Sequence, residues 1–239
     1  MDAIFQNALP AEMDGTPGLP GVAPCGPEDW LRLDDAYAGQ MAYRAALLSQ
    51  DRSSVLWLDP DALAAAVEVL EEALTLLPAL GFVCDAQGVT CPDGRRVMID
   101  MTDPLGTLGL LVQEDICLMQ KRGDEHVLTG AVLCFPASWL LSEKVGRPLT
   151  GIHDTVDEYG RDLARRVQRL FDGVRVGKPM WRFNYLTYAD ADLHQPLSVL
   201  AHREIEDDHP FIRAERQCIL RLPRTQAVIF SIHTYVVPR

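Results

Sequence analysis

Four polar segments set among apolar residues are where this chain could do chemistry. The first runs from Pro136-Ala137-Ser138-Trp139 through Glu143-Lys144-Val145-Gly146-Arg147-Pro148 to Ile152-His153. It sets a histidine after an expected helix and a Gly/Pro-punctuated loop, beside a short basic segment. A neutral imidazole in such a position can ligate a metal or a haem iron. Lys144 and Arg147 could then meet carboxylates by charge-assisted hydrogen bonds. The same segment also reads as a helix–loop–helix connection in which His153 is a satisfied N-terminal residue.

The second segment is Gln113-Glu114-Asp115, entering the apolar run Ile116-Cys117-Leu118-Met119. Two acids there form either a solvated cap or turn, or a carboxylate pair at the mouth of a pocket that attracts a cationic amine. The third is Trp181-Arg182-Phe183-Asn184-Tyr185. Strand alternation puts Arg182 and Asn184 on one face and the three aromatics on the other, so Arg182 can bind an anion if that face lines a pocket. The fourth, Arg213-Ala214-Glu215-Arg216-Gln217 with Arg221 and Arg224, is either a cross-strand Arg–Glu network or a cradle for an anionic cofactor. The remaining histidines show no ligand spacing to one another, with His202 and His209 as alternatives to His153.

Bulk properties narrow the classes. The 239 residues are 48% hydrophobic and 23% charged, values of an ordinary globular protein with room for a large core and a small cavity. A net charge of −12, from 34 acidic and 22 basic residues, argues against a nucleic-acid partner, which needs a basic face. There is no G-x-S-x-G, Walker A, G-x-G-x-x-G or H-E-x-x-H pattern. No apolar run reaches the ~20 residues of a membrane helix, and the N-terminus lacks the features of a signal peptide. The six cysteines form no C-x-x-C pair, so a reduced, cytoplasmic setting is expected.

The elements that must hold these residues follow from periodicity and punctuation. Residues 1–26, rich in Pro, Gly and Ala, predict an arm. A helix is expected from Pro27, with Trp30, Leu33, Tyr37, Met41 and Leu48 at helical spacing, and another over Asp61–Leu80, stopped by Pro78 and Gly81. Its stripe of Leu63, Val67, Leu70, Leu74 and Leu77 should be core. A hairpin is expected over Phe82–Thr90, a short helix over Asp103–Val112, and strands over Asp115–Lys121 and His126–Phe135. A helix over Asp154–Asp172 carries Tyr159, Leu163, Val167 and Leu170 on one face and is capped by Gly173. Strands over Trp181–Tyr188, Ala214–Arg221 and Ala227–Val237 complete the chain, the last two as a hairpin. Helices first, then an antiparallel meander with one inserted helix, make an α+β protein, with a single domain over 27–239.

Taken in order, these segments resemble the haem-dependent oxidative N-demethylase family, long catalogued as a domain of unknown function. The matching pieces are Trp30-Leu31 with Asp34, Tyr37 and Arg44; Gln113-Glu114-Asp115; Phe135-Pro136 with Trp139, Glu143-Lys144 and Gly146; Ile152-His153; Trp181-Arg182-Phe183-Asn184; and Glu215-Arg216-Gln217 with Arg221-Leu222-Pro223, Phe230 and Thr234-Tyr235. They span roughly residue 28 to the C-terminus. The resemblance implies a PAS-like antiparallel sheet with flanking helices that binds haem b. It also implies oxidation of a small secondary amine such as dimethylamine to the dealkylated amine and formaldehyde, with oxygen and with electrons from a separate flavin/iron–sulfur reductase.

On this reading His153 is the iron ligand. Lys144, Arg182, Asn184, Arg213 and Arg216 hold the cofactor, and Glu114 or Asp115 attracts the substrate ammonium. The chain departs from the family pattern twice: Asp154-Thr155-Val156-Asp157 replaces a proline-containing segment, and His233 stands where an arginine is expected. No reductase or folate domain accompanies the segments, so the electron donor is expected to be a partner; an oligomer is compatible with the pattern. Two other functions fit the same residues: a non-catalytic haem-binding PAS-type sensor or carrier, and a cofactor-free binding module.

Overall fold

Hydrophobic periodicity sorts the chain into two helical layers around one sheet. The structure is a computed structural model that describes residues 3–13, 21–153, 161–198 and 209–239; the side chains of His153 and of residues 161–164 lie outside that description. The elements in chain order are β1 (Ala23–Pro24), α1 (Tyr37–Gln50), α2 (Arg52–Val55), β2 (Leu56–Leu58), α3 (Leu63–Leu76), β3 (Val83–Cys84), β4 (Gly88–Thr90), β5 (Arg96–Met98) and α4 (Pro104–Leu111), then β6 (Asp115–Arg122), β7 (Glu125–Val132), α5 (Leu149–His153), α6 (Arg161–Gly173), β8 (Met180–Tyr188), β9 (Phe211–Arg221) and β10 (Val228–Pro238). Seven strands form one sheet in the order β1-β8-β9-β10-β6-β7-β2, and every neighbouring pair is antiparallel. Strands β3, β4 and β5 form a separate small sheet.

One face of the large sheet carries Ile116, Leu118, Cys218 and Ile229, which pack under α1, α3 and α4 with Met41, Leu70 and Leu108. The other carries Cys117, Met119, Ile219 and Phe230, covered by Leu149 and Ile152 of α5 and by Val167, Leu170 and Phe171 of α6. Burial of these two apolar layers is the main driving force for the fold. Close packing shows at Gly109 in α4: a Cβ there would lie 2.7 Å from Val132 Cγ2 and 2.9 Å from Leu48 Cδ1. Glycine alone lets α4 sit this near both β7 and α1.

The helix expected from Pro27 begins ten residues later, at Tyr37. Residues 27–36 are held by distant partners instead. Arg32 N donates to Glu114 at 2.7 Å, Asp34 N to Gln113 at 3.0 Å, and the Asp29 carbonyl accepts from Arg216 at 2.6 Å. Asp34 forms a turn just ahead of the helix, its carboxylate accepting from Ala36 N at 2.9 Å and its carbonyl from Tyr37 N at 3.2 Å. In α3 the buried face is Ala65, Ala66, Glu68, Val69, Leu70 and Ala73, while Leu63 is exposed, so the predicted stripe is rotated at its N-terminal end. The helix stops as expected, with Gly81 left-handed at φ 89°.

The helix expected before the Gly/Pro loop is a single 3-10 turn, Leu141–Glu143, and α5 follows it. Strand β7 ends at Val132 rather than Phe135 because the next amides leave the ladder. Leu133 N donates to Val55 O, and Cys134 N and Phe135 N donate to Asp115. Tyr159 and Leu163 of the predicted fifth-helix face, and His202, lie outside the described residues. No helix among the described residues is long and apolar enough to cross a membrane.

Candidate functional site

Strand pairing places the polar residues of β8, β9 and β10 face by face. Asn184, Glu215 and Thr234 are opposite one another across three strands, and Arg182 is opposite Gln217, which is opposite Ile232. Opposed residues share a face, so Arg182, Asn184, Glu215, Gln217, Ile232 and Thr234 lie together. They are on the α5–α6 side, because Ile219, Phe230 and Cys117 in the adjoining register belong to the core beneath those helices. Lys144 and α5 belong to the same side, Lys144 donating to the Ile152 carbonyl from a nearly buried position.

This face contains unused hydrogen-bonding capacity. Arg182 is half-buried, and its guanidinium has no hydrogen-bond or ion-pair partner among the described residues. Desolvation lowers its pKa, with Glu215 pulling the other way. Thr234 Oγ1 is buried without a partner as well. Polar groups removed from water and left unpaired cost free energy, so both mark a surface that would gain from a polar or anionic ligand. Beside them Glu215 accepts from Asn184 at 2.8 Å and Gln217 at 3.1 Å, both at Oε2. Arg213 donates to the carbonyls of Leu193 at 2.9 Å and Phe135 at 2.7 Å, its Nη2 lies 3.7 Å from Glu215 Oε1, and its buried Nε has no partner among the described residues.

The opposite face carries a second polar cluster. Arg216 lies opposite Phe183 and His233, stacks 5.0 Å above the Trp181 ring and donates to the Asp29 carbonyl. His233 is buried with Nδ1 2.8 Å from Glu114 Oε1 and Nε2 3.1 Å from Asp34 Oδ2. Both ring nitrogens meet carboxylates, so both must donate and the ring is an imidazolium. Burial disfavours that charge, but the Glu114 carboxylate and the hydrogen bonds to Asp34 and Glu114 outweigh it and raise the His233 pKa to about 9. Asp34, conversely, is held below the usual carboxylate range: burial alone would raise it, but the His233 hydrogen bond and charge, with Gln113 and Gln6, prevail.

The sequence-predicted residues therefore divide. Lys144, Arg182, Asn184 and Arg213 are on the α5–α6 side, where the α5 backbone ends at His153, whose side chain lies outside the described residues. Arg216 is on the other side of the sheet with Glu114, so it cannot hold the same end of a ligand as Arg182. The two acids do not open a pocket mouth; both are 1% exposed. Asp115 has Oδ1 on Arg44 at 2.6 Å and Cys134 N at 2.7 Å, and Oδ2 on Phe135 N at 2.8 Å. Glu114 Oε1 takes Arg32 N and His233, and only Oε2 lacks a partner. Sequence reasoning missed Thr234 and Gln217 as members of the Arg182 face; register with Asn184 was the signal, and that needs the strand pairing. His209, half-buried just before β9, is far in register from the Asn184 row.

The family described as "Haem-dependent oxidative N-demethylase, alpha subunit-like" matches residues 21–239.

Proposed function

This chain belongs to the haem-dependent oxidative N-demethylase, alpha-subunit-like family, and from that premise we propose that it is the haem-binding subunit of an enzyme that oxidatively removes a methyl group from a small secondary amine. The overall reaction balances as methylated amine, dioxygen, two electrons and two protons giving the dealkylated amine, formaldehyde and water. Bound haem would supply the iron centre that activates dioxygen, and electrons would come from a separate flavin/iron–sulfur reductase subunit. In this reading the seven-stranded sheet and its flanking helices are a PAS-like domain, and the arm expected over 1–26 contributes the edge strand β1 to it.

The observation that carries the reading is Arg182. A half-buried guanidinium with no partner among the described residues, set beside Asn184 and on the same side of the sheet as Lys144 and α5, has the donor chemistry for a carboxylate. The haem propionates are such carboxylates. His153 would hold the iron. Lys144 donates to the Ile152 carbonyl and so braces the C-terminal turn of α5. Arg213, buried against carbonyls, keeps the segments around Phe135 and Leu193 joined to β9 rather than touching the cofactor. Glu215, diagonal to Arg182 in the cross-strand register, would take over the ammonium-attracting role expected of Glu114 and Asp115.

The test is an absorption spectrum of the purified protein with haemin, oxidised, dithionite-reduced and CO-bound, followed by a formaldehyde assay with methylated amines and a reductase. A saturable Soret band at one haem per chain, shifting on reduction and with CO and lost or displaced in His153→Ala, supports the reading. A Soret band without formaldehyde release would favour a sensor or carrier. No haem uptake at all would overturn the enzymatic reading.

A further inference from the structure

His126, near the start of β7, is buried on the α5–α6 side of the sheet, with only 1% of its surface exposed. Its ring packs against Phe171 of α6, centroid to centroid at 5.5 Å. One residue of α6, Gln168, grips it twice. Gln168 Oε1 accepts from the His126 backbone N–H at 3.1 Å, and Gln168 Nε2 lies 2.9 Å from His126 Nδ1. Gln168 Nε2 also donates to Asp172 Oδ2 at 3.1 Å, and Asp172 Oδ1 accepts from Lys121 of β6 at 2.5 Å. Helix α6 is thereby joined to β7 and β6. At its end Arg221 of β9 donates to the carbonyls of Phe171 and Val174, each at 2.7 Å.

These bonds fix both the amide and the ring. With its oxygen on the backbone N–H, the Gln168 amide turns its NH2 to both Nδ1 and Asp172, and all three groups are satisfied. Nδ1 must then accept, so the ring is neutral and carries its single proton on Nε2. Nε2 is buried and has no partner among the described residues. A second proton has no place in this arrangement. On Nδ1 it would meet the amide NH2. Turning the amide over would let Oε1 accept that proton, but would break the bonds to the backbone N–H and to Asp172. It would also leave the new charge buried beside an unpaired Nε2–H. The charged groups facing the ring are Asp172 on α6, which favours protonation, and Arg221 on β9 and Lys121 on β6, which oppose it. Burial weighs most, and the His126 pKa is lowered from its ordinary 6.5.

We propose that His126 is an acid-sensitive latch: on taking up a proton its ring breaks the Gln168 bridge and releases α6 from β7, uncovering the side of the sheet that carries Arg182, Asn184 and Glu215. The released ring regains water and its ordinary affinity for a proton. The latched form therefore binds fewer protons than the released one, and latching weakens as pH falls below 6.5. Asp172 does not trigger the release, because the Lys121 hydrogen bond holds its carboxyl below the usual range and it keeps its charge there. The latch does not depend on haem binding.

The test is amide hydrogen exchange of the full-length protein from about pH 7.5 to about pH 5, corrected for the intrinsic pH dependence of exchange, beside ring-nitrogen NMR of His126. In the neutral ring Nδ1 should be the unprotonated nitrogen, and the ring should titrate below 6.5. Protection across residues 165–174 should fall with acid, by up to about tenfold per pH unit, the limit for one proton taken up on release. It should return on neutralisation, and β9 and β10 should keep theirs throughout. In His126→Phe, which has no group to titrate, α6 protection should stay constant over this range. A ring that titrates at or above 6.5, a neutral ring with its proton on Nδ1, α6 protection indifferent to acid, or an equal fall in His126→Phe would each overturn the proposal. The wild-type spectrum and exchange decide the matter if the variant fails to fold.

Discussion

Arg182 and Arg216 stand on neighbouring strands one register step apart, yet they face opposite sides of the sheet. Arg182 has no partner among the described residues, whereas Arg216 is held by the Asp29 carbonyl, Cys218 and the Trp181 ring. The same residue type therefore stands in two settings here: one arginine keeps its donors unused among the described residues, and the other ties the 27–36 segment to β9.

Their substitutions should separate accordingly. Arg182→Ala should leave stability within about 0.5 kcal/mol, since no partner is orphaned, and should weaken haem binding at least about tenfold, the effect of losing one charge-assisted hydrogen bond. Arg216→Ala should lower stability by about 1–3 kcal/mol and leave haem affinity unchanged. Urea denaturation and haemin titration on both variants make the comparison. Equal haem affinity in wild type and Arg182→Ala would remove Arg182 from the cofactor site.

His233 should give the fold a pH dependence of definite sign. Its carboxylate partners raise its folded pKa to about 9, above the ordinary imidazole value of 6.5. Its stabilisation is therefore fully present below about pH 6.5 and is lost as pH rises through about 9. Unfolding free energy measured across that window should decline in the wild-type chain. His233→Arg, which fixes a positive charge at this position, should flatten the decline, because a guanidinium does not titrate there. A wild-type profile that rises over the window, or an unchanged slope in His233→Arg, would refute the assignment.

Arg44 and Asp115 form a buried pair, 0% and 1% exposed at the side chain. Arg44 also donates to the carbonyls of Gly109, Gln113 and Glu114, so it joins α1 to the end of α4 and the start of β6. Arg44→Met should destabilise by about 3–5 kcal/mol, because Asp115 is left as an uncompensated buried charge. The double variant Arg44→Met, Asp115→Leu should recover part of that loss. Thermal melts of the three proteins supply the test, and additive losses would show that the two do not act as a pair.

Glu68 clamps the β9–β10 turn to α3. Its carboxylate accepts from Arg224 N at 2.6 Å, Thr225 N at 2.8 Å and Thr225 Oγ1 at 2.5 Å. The turn also holds Gln226 left-handed at φ 60°, which favours a fixed local structure. Glu68→Ala should cost about 1–3 kcal/mol by leaving those amides without partners. Amide hydrogen exchange at Arg224 and Thr225 should accelerate together; protection that persists at both would show the clamp to be dispensable.

How much of this was legible in the sequence varies with the range of the interaction involved. The Asp61–Leu80 helix, the short helix over Asp103–Val112 and the late strands could be read because period and punctuation are local. The helix expected from Pro27 failed because its residues are taken by Glu114, Gln113 and Arg216, partners more than seventy positions away. At the site, alternation already separated Arg182 and Asn184 from the aromatics of β8. Which face Arg216 would share could not be read, since it depends on β8 lying beside β9 in one register. The His233 pairing with Asp34 joins residues almost two hundred positions apart, beyond any sequence window.

Strand β10 lies between β9 and β6 although it follows both in the chain. Until it has left the ribosome, β8–β9 and β2–β7–β6 remain two fragments, each with an unpaired edge of backbone donors and acceptors. The sheet thus closes by its last strand rather than growing outward from its first. The row of Asn184, Glu215 and Thr234 comes into being only at that closure. A chain lacking β10 would present two sticky edges and no Asn184–Glu215–Thr234 row, so aggregation competes with closure of the sheet.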